Sequence, residues 1–572
     1  MLADRQTRWD VRPPRPQVQE QLTSAPGMHP TLAAVLAARG CETPQAARAF
    51  LGPSLDDLHD PFDLPDADRA VDRILSALRE HEPILVHGDY DADGVTSAAL
   101  LVRFLTKLGA EVQYYIPHRF DDSYGLSERA VRAAAGQVGL ILAVDCGVRD
   151  CEVIDMAGAQ DQDVIVVDHH EPGDKLPEPA LVINPKREDS AYPERDLAAV
   201  GLAFKLASAV CARMELSQSS LQRAFLDLVA IGTIADVAPL VGENRAMVST
   251  GLRVLPHTRK VGLQVLLELC ELTGAVSARD VAFRIGPRLN AVGRMADAGE
   301  ALELLLTDDE IQARRTALRL EGLNRERRKE QETTFRDAMR VFEAEVDADL
   351  DRVVVLAREG WHRGVIGIVA AKVLEATGMP TVLLALEGPQ ARGSARSIEH
   401  FNIAEAMAEC DDLLIRHGGH ALAAGLEVET GQVSALRERL NEIGRRVMPE
   451  GAPAAAITVD AEVSLDEVDE ALAEALALME PCGEGNPEPL LCARGVSAVD
   501  VRTVGSDGRH LKLLVEDHGR RIECIGFGLG GAVGWLRSGA RVDLCFTPGL
   551  DSYGGLLRLQ LQVTDIRPEG IS

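Results

Sequence analysis

Short apolar runs alternate with helix-forming stretches in the first half of the chain, and this alternation restricts the possible folds more than any other feature. The runs PILVH (83–87), VGLILAVD (138–145) and DVIVVD (163–168) have the length and the branched residues of buried strands. The stretch VTSAALLVRFLTKLG (95–109) has the composition of a helix that a glycine ends. Because strands that alternate with helices form parallel sheets, the sequence predicts an α/β domain here.

A chain of 572 residues is too long for one compact domain, and its patterning changes along its length. A second α/β region begins with RVVVLA (352–357), and short β-runs with turns after residue 456 predict a small closed barrel of the OB type. Between the two α/β regions, Ala, Leu, Glu and Arg predominate, which predicts one long helix. The predicted parts are a helical segment (1–75), an α/β domain (76–296), a connecting helix (297–347), a smaller α/β domain (348–447) and a barrel (455–570).

The motif HGDYDADG (87–94) places Asp89, Asp91 and Asp93 directly after the first predicted strand. Three carboxylates this close together repel one another unless a cation compensates their charge. In an extended segment alternate residues face one way, so the three side chains are expected to converge. A solvated acidic loop is the alternative; an EF-hand calcium loop would need a Glu where this chain has Leu100.

Further acids and histidines follow the other predicted strands. Asp145 ends VGLILAVD, and Asp168, His169 and His170 end the strand DVIVV. Ligands of open α/β sheets collect at the carboxyl ends of the strands, so these clusters are expected to share one crevice. Asp236, near the end of an apolar helix, is a further candidate.

Carboxylates and imidazoles without thiolates are the ligands typical of Mn²⁺ or Mg²⁺ rather than of structural zinc. Two such ions among several aspartates activate a water molecule and stabilise both oxygens of an in-line phosphoryl displacement. The sequence therefore predicts a metal-dependent phosphoesterase, with two ions as its cofactors.

The motifs DYDADG, VDCG, DHH and GTIADV, in this order, resemble the four motifs of the DHH phosphoesterase superfamily. GSAR (393–396) and GGHALAAG (418–425) resemble the DHH-associated domain of that superfamily, which binds the nucleotide substrate. With GPRLNAVGRM (286–295) and the terminal barrel, the series is similar to the branch of single-strand-specific 5′→3′ DNA exonucleases. The resemblance implies a DHH-type parallel-sheet domain, a long helix, a smaller α/β DHH-associated domain and an OB-like β-barrel.

The resemblance also implies roles for individual residues. Asp145 is the implied bridging carboxylate, and His170 is implied to lie beside the scissile phosphate. Whether His87 or Asp89 completes the metal site stays open, because pyrophosphatase-type relatives use the histidine and the exonuclease branch the aspartate. The implied metal ligands are Asp89, Asp91, Asp93, Asp145, His169 and Asp236.

The net charge of −29 argues mildly against a nucleic-acid partner, unless positive charge is concentrated locally. Residues 311–329 hold seven Arg or Lys against two Glu, which is typical either of a basic channel or of an ordinary charged helix face. Arg119 and Tyr124 are expected to flank the terminal nucleotide. In the barrel aromatic residues are sparse, so DNA binding there must depend on Arg and Lys. The predicted substrate contacts are Arg119, Arg288, Asn290, Arg294, Ser394, Arg396, Gly418, Gly419 and His420.

Two alternative functions remain. A phosphodiesterase for short oligonucleotides or cyclic dinucleotides would not need the terminal barrel, and a catalytically silent single-strand-binding scaffold would not keep a full set of acids. Ten scattered cysteines and no secretory or membrane segment predict a cytoplasmic protein. Single-stranded DNA with a 5′ end is the expected substrate, a single-strand-binding protein and a helicase are candidate partners, and a monomer is expected.

Overall fold

The structure is a computed structural model whose chain forms two units. One is built mainly from Trp9–Gly293 and Thr458–Ser572, and the other mainly from Arg319–Ile457. Among the residues that the structure describes, no helix is long and apolar enough to cross a membrane. The described residues are 8–119, 122, 125–347, 350–449, 456–505, 507–551 and 557–570.

A parallel sheet of five strands forms the centre of the first α/β domain. Its strands lie in the order Val112–Tyr115, Ile84–His87, Leu140–Val144, Asp163–Val167 and Leu181–Ile183. After the strand Ile84–His87 the chain adds Val112–Tyr115 on one side of it and then Leu140–Val144 on the other side. The gap between Ile84–His87 and Leu140–Val144 is therefore the topological switch point, where open α/β sheets bind ligands. The predicted parallel-sheet α/β fold is confirmed.

Helices cover the sheet and extend the domain. Ser127 and Ser217 each begin a helix by accepting a backbone N–H in its first turn. The helices that precede the connecting segment are Pro16–Thr23, Pro30–Ala38, Pro44–Leu51, Ala67–Glu80, Ala92–Lys107, Glu128–Ala134, Cys151–Gly158, Ala199–Arg213, Gln218–Ala235, Gly242–Val254, Val261–Leu269, Ala278–Asp280 and Gly286–Met295.

The connecting segment contains two helices rather than the single predicted one. Gly299–Leu306 is followed by the long helix Glu310–Glu345. The break falls at Asp309, whose Oδ1 accepts the backbone N–H groups of Ile311 (2.8 Å) and Gln312 (3.2 Å). This side chain satisfies N–H groups that the first helical turn leaves unpaired, so a new helix begins.

The second α/β domain contains a mixed sheet of five strands. Val354–Glu359 and Thr381–Glu387 are parallel, and the remaining strands are antiparallel. The sheet order is Leu414–His420, Ala423–Glu429, Gln390–Arg396, Thr381–Glu387 and Val354–Glu359, and the helices are Ile366–Thr377, Ile403–Ala408 and Val433–Val447.

The C-terminal strands close into a barrel. Counted along the chain, the five barrel strands neighbour one another in the order first, second, third, fifth, fourth, and the fourth pairs with the first. This is the closed five-stranded arrangement of an OB-fold, as predicted. The strands are Leu491–Val504, His510–Asp517, Arg520–Gly526, Arg541–Asp551 and Arg558–Pro568; Ala461–Glu462 adds a short edge, and Glu470–Ala477 is the preceding helix.

The N-terminal helices share one hydrophobic core with the barrel region. Leu22, Leu32 and Leu36 are fully buried in the same cluster as Leu491 and Phe546 of the barrel. The N-terminal segment therefore does not form a core of its own, although its helices were predicted as a separate part of the chain.

Candidate active site and metal centre

The first candidate ligands lie where the first sheet strand passes into the helix Ala92–Lys107. Oδ1 of Asp91 caps this helix by accepting the backbone N–H groups of Asp93 (2.9 Å) and Gly94 (3.1 Å). Asp93 therefore lies in the first helical turn. The prediction that Asp89, Asp91 and Asp93 alternate along an extended segment is wrong, because the Asp91 cap turns the chain into a helix.

Asp93 is buried and holds the start of a second helix, Ala199–Arg213. Its Oδ2 accepts the N–H of Ala199 (2.7 Å), and its Oδ1 accepts the N–H of Val200 (2.9 Å). A carboxylate at a helix N-terminus also interacts favourably with the helix dipole. Asp93 is thus fixed in one orientation.

The interpretation of the motif HGDYDADG as a solvated acidic loop is excluded by its burial, since Asp89 and Asp93 are 2% and 1% exposed.

The candidate ligands converge at the carboxyl edge of the sheet. His169 Nε2 lies 3.3 Å from Asp145 Oδ1 and 3.8 Å from Asp236 Oδ2. Asp145 belongs to two of the three groups formed here, one with Asp89 and Asp91 and one with His169 and His170. The groups, each with ligand atoms within 4.8 Å of one another, are Asp89, Asp91 and Asp145; Asp93, His169 and Asp236; and Asp145, His169 and His170.

Three buried polar atoms of this cluster have no hydrogen-bond partner among the described residues. They are Oδ1 of Asp89, Oδ1 of Asp145 and Nε2 of His169. Each buried polar atom left unpaired costs roughly 1–3 kcal/mol. Oxygen and imidazole donors of this kind fit a divalent cation such as Mn²⁺ or Mg²⁺, which would satisfy all three atoms.

Four carboxylates of the cluster have raised pKa values. Burial, and next the charge of Asp91, raise the pKa of Asp89 and of Asp145 far above the ordinary range of an aspartate, and raise the pKa of Asp93 to about 7. Burial and Asp93 raise the pKa of Asp236 to about 9. The charged forms are therefore unfavourable unless a cation compensates them.

Asp145 combines this burial with an unusual backbone conformation. Its φ is +62°, in the left-handed region that residues other than glycine rarely adopt. The backbone N–H of Asp145 donates to the carbonyl of Val167 (3.0 Å), which keeps the residue bound to the neighbouring strand. Strain of this type persists where the surrounding structure imposes it, and it is concentrated at functional sites.

Asp168 orients His170. Its Oδ1 accepts both the backbone N–H of His170 (3.1 Å) and the ring Nδ1 (2.7 Å), and its Oδ2 accepts the N–H of Val148 (3.1 Å). Burial disfavours the imidazolium, but the hydrogen bond and the charge of Asp168 outweigh it and raise the pKa of His170. His169 is different, because burial and the neighbouring His170 lower its pKa to about 4 and keep it neutral, as a metal ligand must be.

The geometry favours Asp89 over His87 as the ligand that the sequence left open. His87 is fully buried, and its Nε2 accepts the backbone N–H of Ser127 (3.1 Å). Its Nδ1 lies 3.6 Å from Sγ of Cys146, and its ring stacks on Tyr115. Both ring nitrogens are thus engaged away from the cluster, while Oδ1 of Asp89 has no hydrogen-bond partner among the described residues.

The helix Gly286–Met295, which contains GPRLNAVGRM, packs against the aspartate loop. Oδ1 of Asn290 accepts the backbone N–H of Ala92 (2.7 Å), so this predicted DNA contact also holds the helix that carries the ligands. A Cβ atom at Gly293 would lie 2.3 Å from the carbonyl oxygen of Tyr90. The loop and the helix therefore fit together only with glycine at position 293.

The predicted substrate-binding arginines of this region are placed as follows. The guanidinium of Arg119 lies 4.7 Å from the centre of the ring of Tyr90, the residue after Asp89. Arg288 donates to the carbonyl of Arg284 (2.5 Å), and Arg294 donates to the carbonyl of Gly364 (3.3 Å). Tyr124 lies outside the described residues. Contact of these residues with DNA stays a prediction.

In the smaller α/β domain, the predicted phosphate-binding residues lie on neighbouring strands rather than in loops. Gly418 pairs with Gly425, which in turn pairs with Ser394, so the three residues form one row across the sheet. His420 and Arg396 are joined in the same way through Ala423, two rows farther along the strands. Gly418, Gly419 and His420 are exposed and lie on an edge strand of the sheet, whereas Ser394 and Arg396 lie on its central strand. Gly418 and Gly419 therefore belong to a paired strand and are exposed.

Basic residues of the barrel and of the long helix form ion pairs with acidic residues of the protein, and one barrel aromatic is buried while two are exposed. Phe546 belongs to the barrel core, whereas Phe527 and Trp535 are exposed. In the long helix Arg314 binds Glu310 (2.9 Å), and this is one of several such pairs. The barrel cations also pair with acids: Arg509 with Asp507, Lys512 with Glu523 and Arg521 with Glu516.

Sequence reasoning missed one element of the site, the short strand Leu181–Ile183. Asn184 follows it, is fully buried, and donates from Nδ2 to the carbonyl of His170 (2.8 Å). The apolar run LVI before Asn-Pro is the signal that was available, but three residues are too few to separate a strand from a loop.

Three family models match the chain in the order in which its domains occur. The DHH family, N-terminal domain, matches residues 83–233, the DHHA1 domain matches 350–445, and the RecJ OB domain matches 459–565. The single-stranded-DNA-specific exonuclease RecJ of Bacillus subtilis is 36% identical over 571 residues, covering 99% of this chain and 71% of that protein. RecJ of Escherichia coli is 33% identical and covers 88% of this chain and 91% of that protein.

The chain belongs to the RecJ family. The crystal structure of RecJ from Thermus thermophilus in complex with Mn²⁺ superposes with a TM-score of 0.85 at 33% identity, covering 100% of this chain and 80% of that one. The resemblance of the motifs to the single-strand-specific exonuclease branch of the DHH superfamily is therefore confirmed, together with the three-domain fold that it implied.

Proposed function

We propose that this chain is a metal-dependent exonuclease that degrades single-stranded DNA from its 5′ end. The observation that carries the proposal is the buried cluster of acids and histidines at the switch point, with three polar atoms that lack hydrogen-bond partners in the described structure. The RecJ relatives are named as single-stranded-DNA-specific exonucleases. The barrel supports an exonuclease over a phosphodiesterase for short or cyclic substrates, since it offers a second binding module.

The residues of the cluster divide into two sets that would hold two ions. Asp89, Asp91 and Asp145 form one set; Asp93, His169 and Asp236 form the other. Asp145, whose Oδ1 lies 3.3 Å from Nε2 of His169, would bridge the two sets. Bound there, divalent ions would supply charge for the developing phosphorane oxygens and an activated water molecule.

The protein groups perform the remaining steps. Asp93 is fixed by two backbone N–H groups, so its set is held in place before any substrate binds. His170, held through Nδ1 by Asp168 and at raised pKa, is suited to contact the scissile phosphate and to give a proton to the leaving oxygen. Ser394, Arg396 and the Gly418–His420 segment would bind the phosphates and sugar of the nucleotide that is released.

The cellular setting is proposed on the same basis. DNA repair and recombination in the cytoplasm fit a single-strand exonuclease without a membrane-crossing helix in its described residues. Such an enzyme needs single strands made available, so a helicase and a single-strand-binding protein are the partners that we propose. We expect the chain to act as a monomer.

Substrates that differ only in their ends test this function. With Mn²⁺, a linear single strand labelled at its 3′ end is expected to shorten progressively and to release mononucleotides, whereas a blunt duplex resists. The same sequence closed into a circle should stay intact, because it offers no 5′ end, and a chelator should stop the reaction. Cutting of the circle at the rate of the linear strand would contradict an exonuclease, and hydrolysis of cyclic dinucleotides alone would favour the alternative function.

A further inference from the structure

Lys186 lies at the same edge of the sheet as the metal cluster, two residues after Asn184, which follows the strand Leu181–Ile183. The strand Leu181–Ile183 is the fifth of the parallel sheet, and the backbone N–H of Asp168 donates to the carbonyl of Ile183 (3.1 Å). The segment after this strand therefore runs beside the segment that carries His169 and His170. None of the sequence motifs includes Lys186.

The backbone of Lys186 is fixed from both sides. Its N–H donates to Oδ1 of Asn184 (2.8 Å), and its carbonyl accepts a hydrogen bond from Nη2 of Arg195 (2.9 Å). Because Nδ2 of Asn184 donates to the carbonyl of His170, a single buried amide joins the backbones of Lys186 and His170. The two residues are therefore positioned together.

The ammonium group of Lys186, by contrast, is only loosely paired. Nζ lies 3.5 Å from Glu171 and 3.8 Å from Asp196, beyond the length of a normal hydrogen bond. Both carboxylates are more than half exposed, while the lysine side chain is 19% exposed. Exposed ion pairs of this kind contribute little to stability, so they do not by themselves explain a lysine held in this position.

Glu171 directly follows His170, and Nζ of Lys186 lies 3.5 Å from Oε1 of Glu171. The ammonium group therefore lies beside the segment that carries both histidines of the cluster. An incoming phosphodiester adds negative charge to a centre that already holds five aspartates, and a lysine binds phosphate as a point charge.

We propose that Lys186 is a phosphate-binding residue of the active site, whose ammonium contacts a phosphate of the strand end on the side of His169 and His170. The proposal rests on the proposed exonuclease function. Asn184 is its positioning residue, since this amide sets the backbone of both Lys186 and His170.

The test compares Lys186→Met and Lys186→Arg with a matched control, Lys175→Met, which removes an exposed lysine from the same domain. Removing a hydrogen bond to a charged group is expected to raise KM for a single strand roughly tenfold or more in Lys186→Met. The dependence of log K on log salt should become shallower by about 0.7, the contribution of one phosphate contact on a single strand. Lys186→Arg should keep most of the affinity, and Lys175→Met should match the wild type.

Binding of thymidine 5′-monophosphate in the presence of Mn²⁺ separates this proposal from the proposed function, because it needs no hydrolysis. Weaker binding by Lys186→Met, with Mn²⁺ affinity and melting temperature unchanged, supports the phosphate contact even if the wild type does not degrade DNA. Strands with and without a 5′-phosphate show which phosphate is bound: a loss confined to the phosphorylated strand indicates the terminal phosphate, and an equal loss indicates the scissile one. KM, salt dependence and mononucleotide binding equal to those of Lys175→Met would overturn the proposal.

Discussion

Replacing Asp145 with asparagine is expected to lower metal-dependent hydrolysis of single-stranded DNA about a thousandfold while the fold stays intact. Charge stabilisation by a bound metal ion is worth several kcal/mol, and each 1.4 kcal/mol is about tenfold in rate. Asp145 belongs to one proposed ion set and its Oδ1 lies 3.3 Å from Nε2 of His169 in the other, so its loss is expected to affect both proposed ions. Asparagine is the suitable replacement because it keeps the side-chain shape and tolerates the positive φ of this position.

The stability of the metal-free protein provides a second readout of the same variant. The pKa of Asp145 is raised in the folded state, so its contribution to stability is present below the unfolded pKa of about 3.9 and is lost as the pH rises through the folded value. Asparagine carries no charge at any pH. In the presence of a chelator, the melting temperature of Asp145→Asn minus that of the wild type should therefore increase as the pH is raised.

Asp163→Asn is the matched control, because Asp163 is an exposed carboxylate at the opposite end of the neighbouring strand. It should leave the rate unchanged. If folded Asp145→Asn retained activity within about tenfold of the wild type, which corresponds to only about 1.4 kcal/mol, Asp145 would not be a bridging ligand.

Gly293→Ala is expected to reduce activity by on the order of a hundredfold, the usual effect of displacing catalytic groups by about 1 Å. The new Cβ would lie 2.3 Å from the carbonyl oxygen of Tyr90 and would push the loop that carries Asp89 and Asp91. The substitution itself favours the helix by roughly 1 kcal/mol, so a loss of activity cannot be explained by a weaker helix. Steady-state kinetics and Mn²⁺ titration should both show the defect.

Gly322→Ala serves as the control for this prediction. Gly322 also lies inside a helix, but nothing lies within 4 Å of the Cβ that alanine would add. It should be slightly more stable than the wild type and equally active. Equal activity of Gly293→Ala and Gly322→Ala would show that the aspartate loop does not depend on its contact with the helix Gly286–Met295.

The sequence predicted the elements of the site better than their local geometry. Strand-end acids such as Asp145 are predictable because the carboxyl ends of parallel strands meet at one edge. The helical position of Asp93 was not predictable, because the same residues are compatible with a helix capped by Asp91 and with continuation of the strand. Likewise, His87 has the spacing of a ligand, and only its contacts with Ser127 and Cys146 show that it is engaged elsewhere.

Long-range packing is the part that one sequence could not provide. Leu22 and Leu36 share a core with barrel residues far along the chain, and no local pattern encodes which apolar faces meet. The same holds for Asn290, whose bond to Ala92 spans 198 positions. The motif GPRLNAVGRM indicated DNA contacts, but its role in holding the ligand loop is visible only in three dimensions.

The most direct test of the proposed two-metal centre is anomalous X-ray scattering at the manganese edge from crystals of the protein grown with Mn²⁺. The proposal predicts two peaks roughly 3.5–4 Å apart, the spacing of two-metal phosphoesterase sites. One should lie among Asp89, Asp91 and Asp145, and the other among Asp93, His169 and Asp236. A single peak elsewhere, or no manganese between these side chains in a crystal of active protein, would contradict the proposed centre.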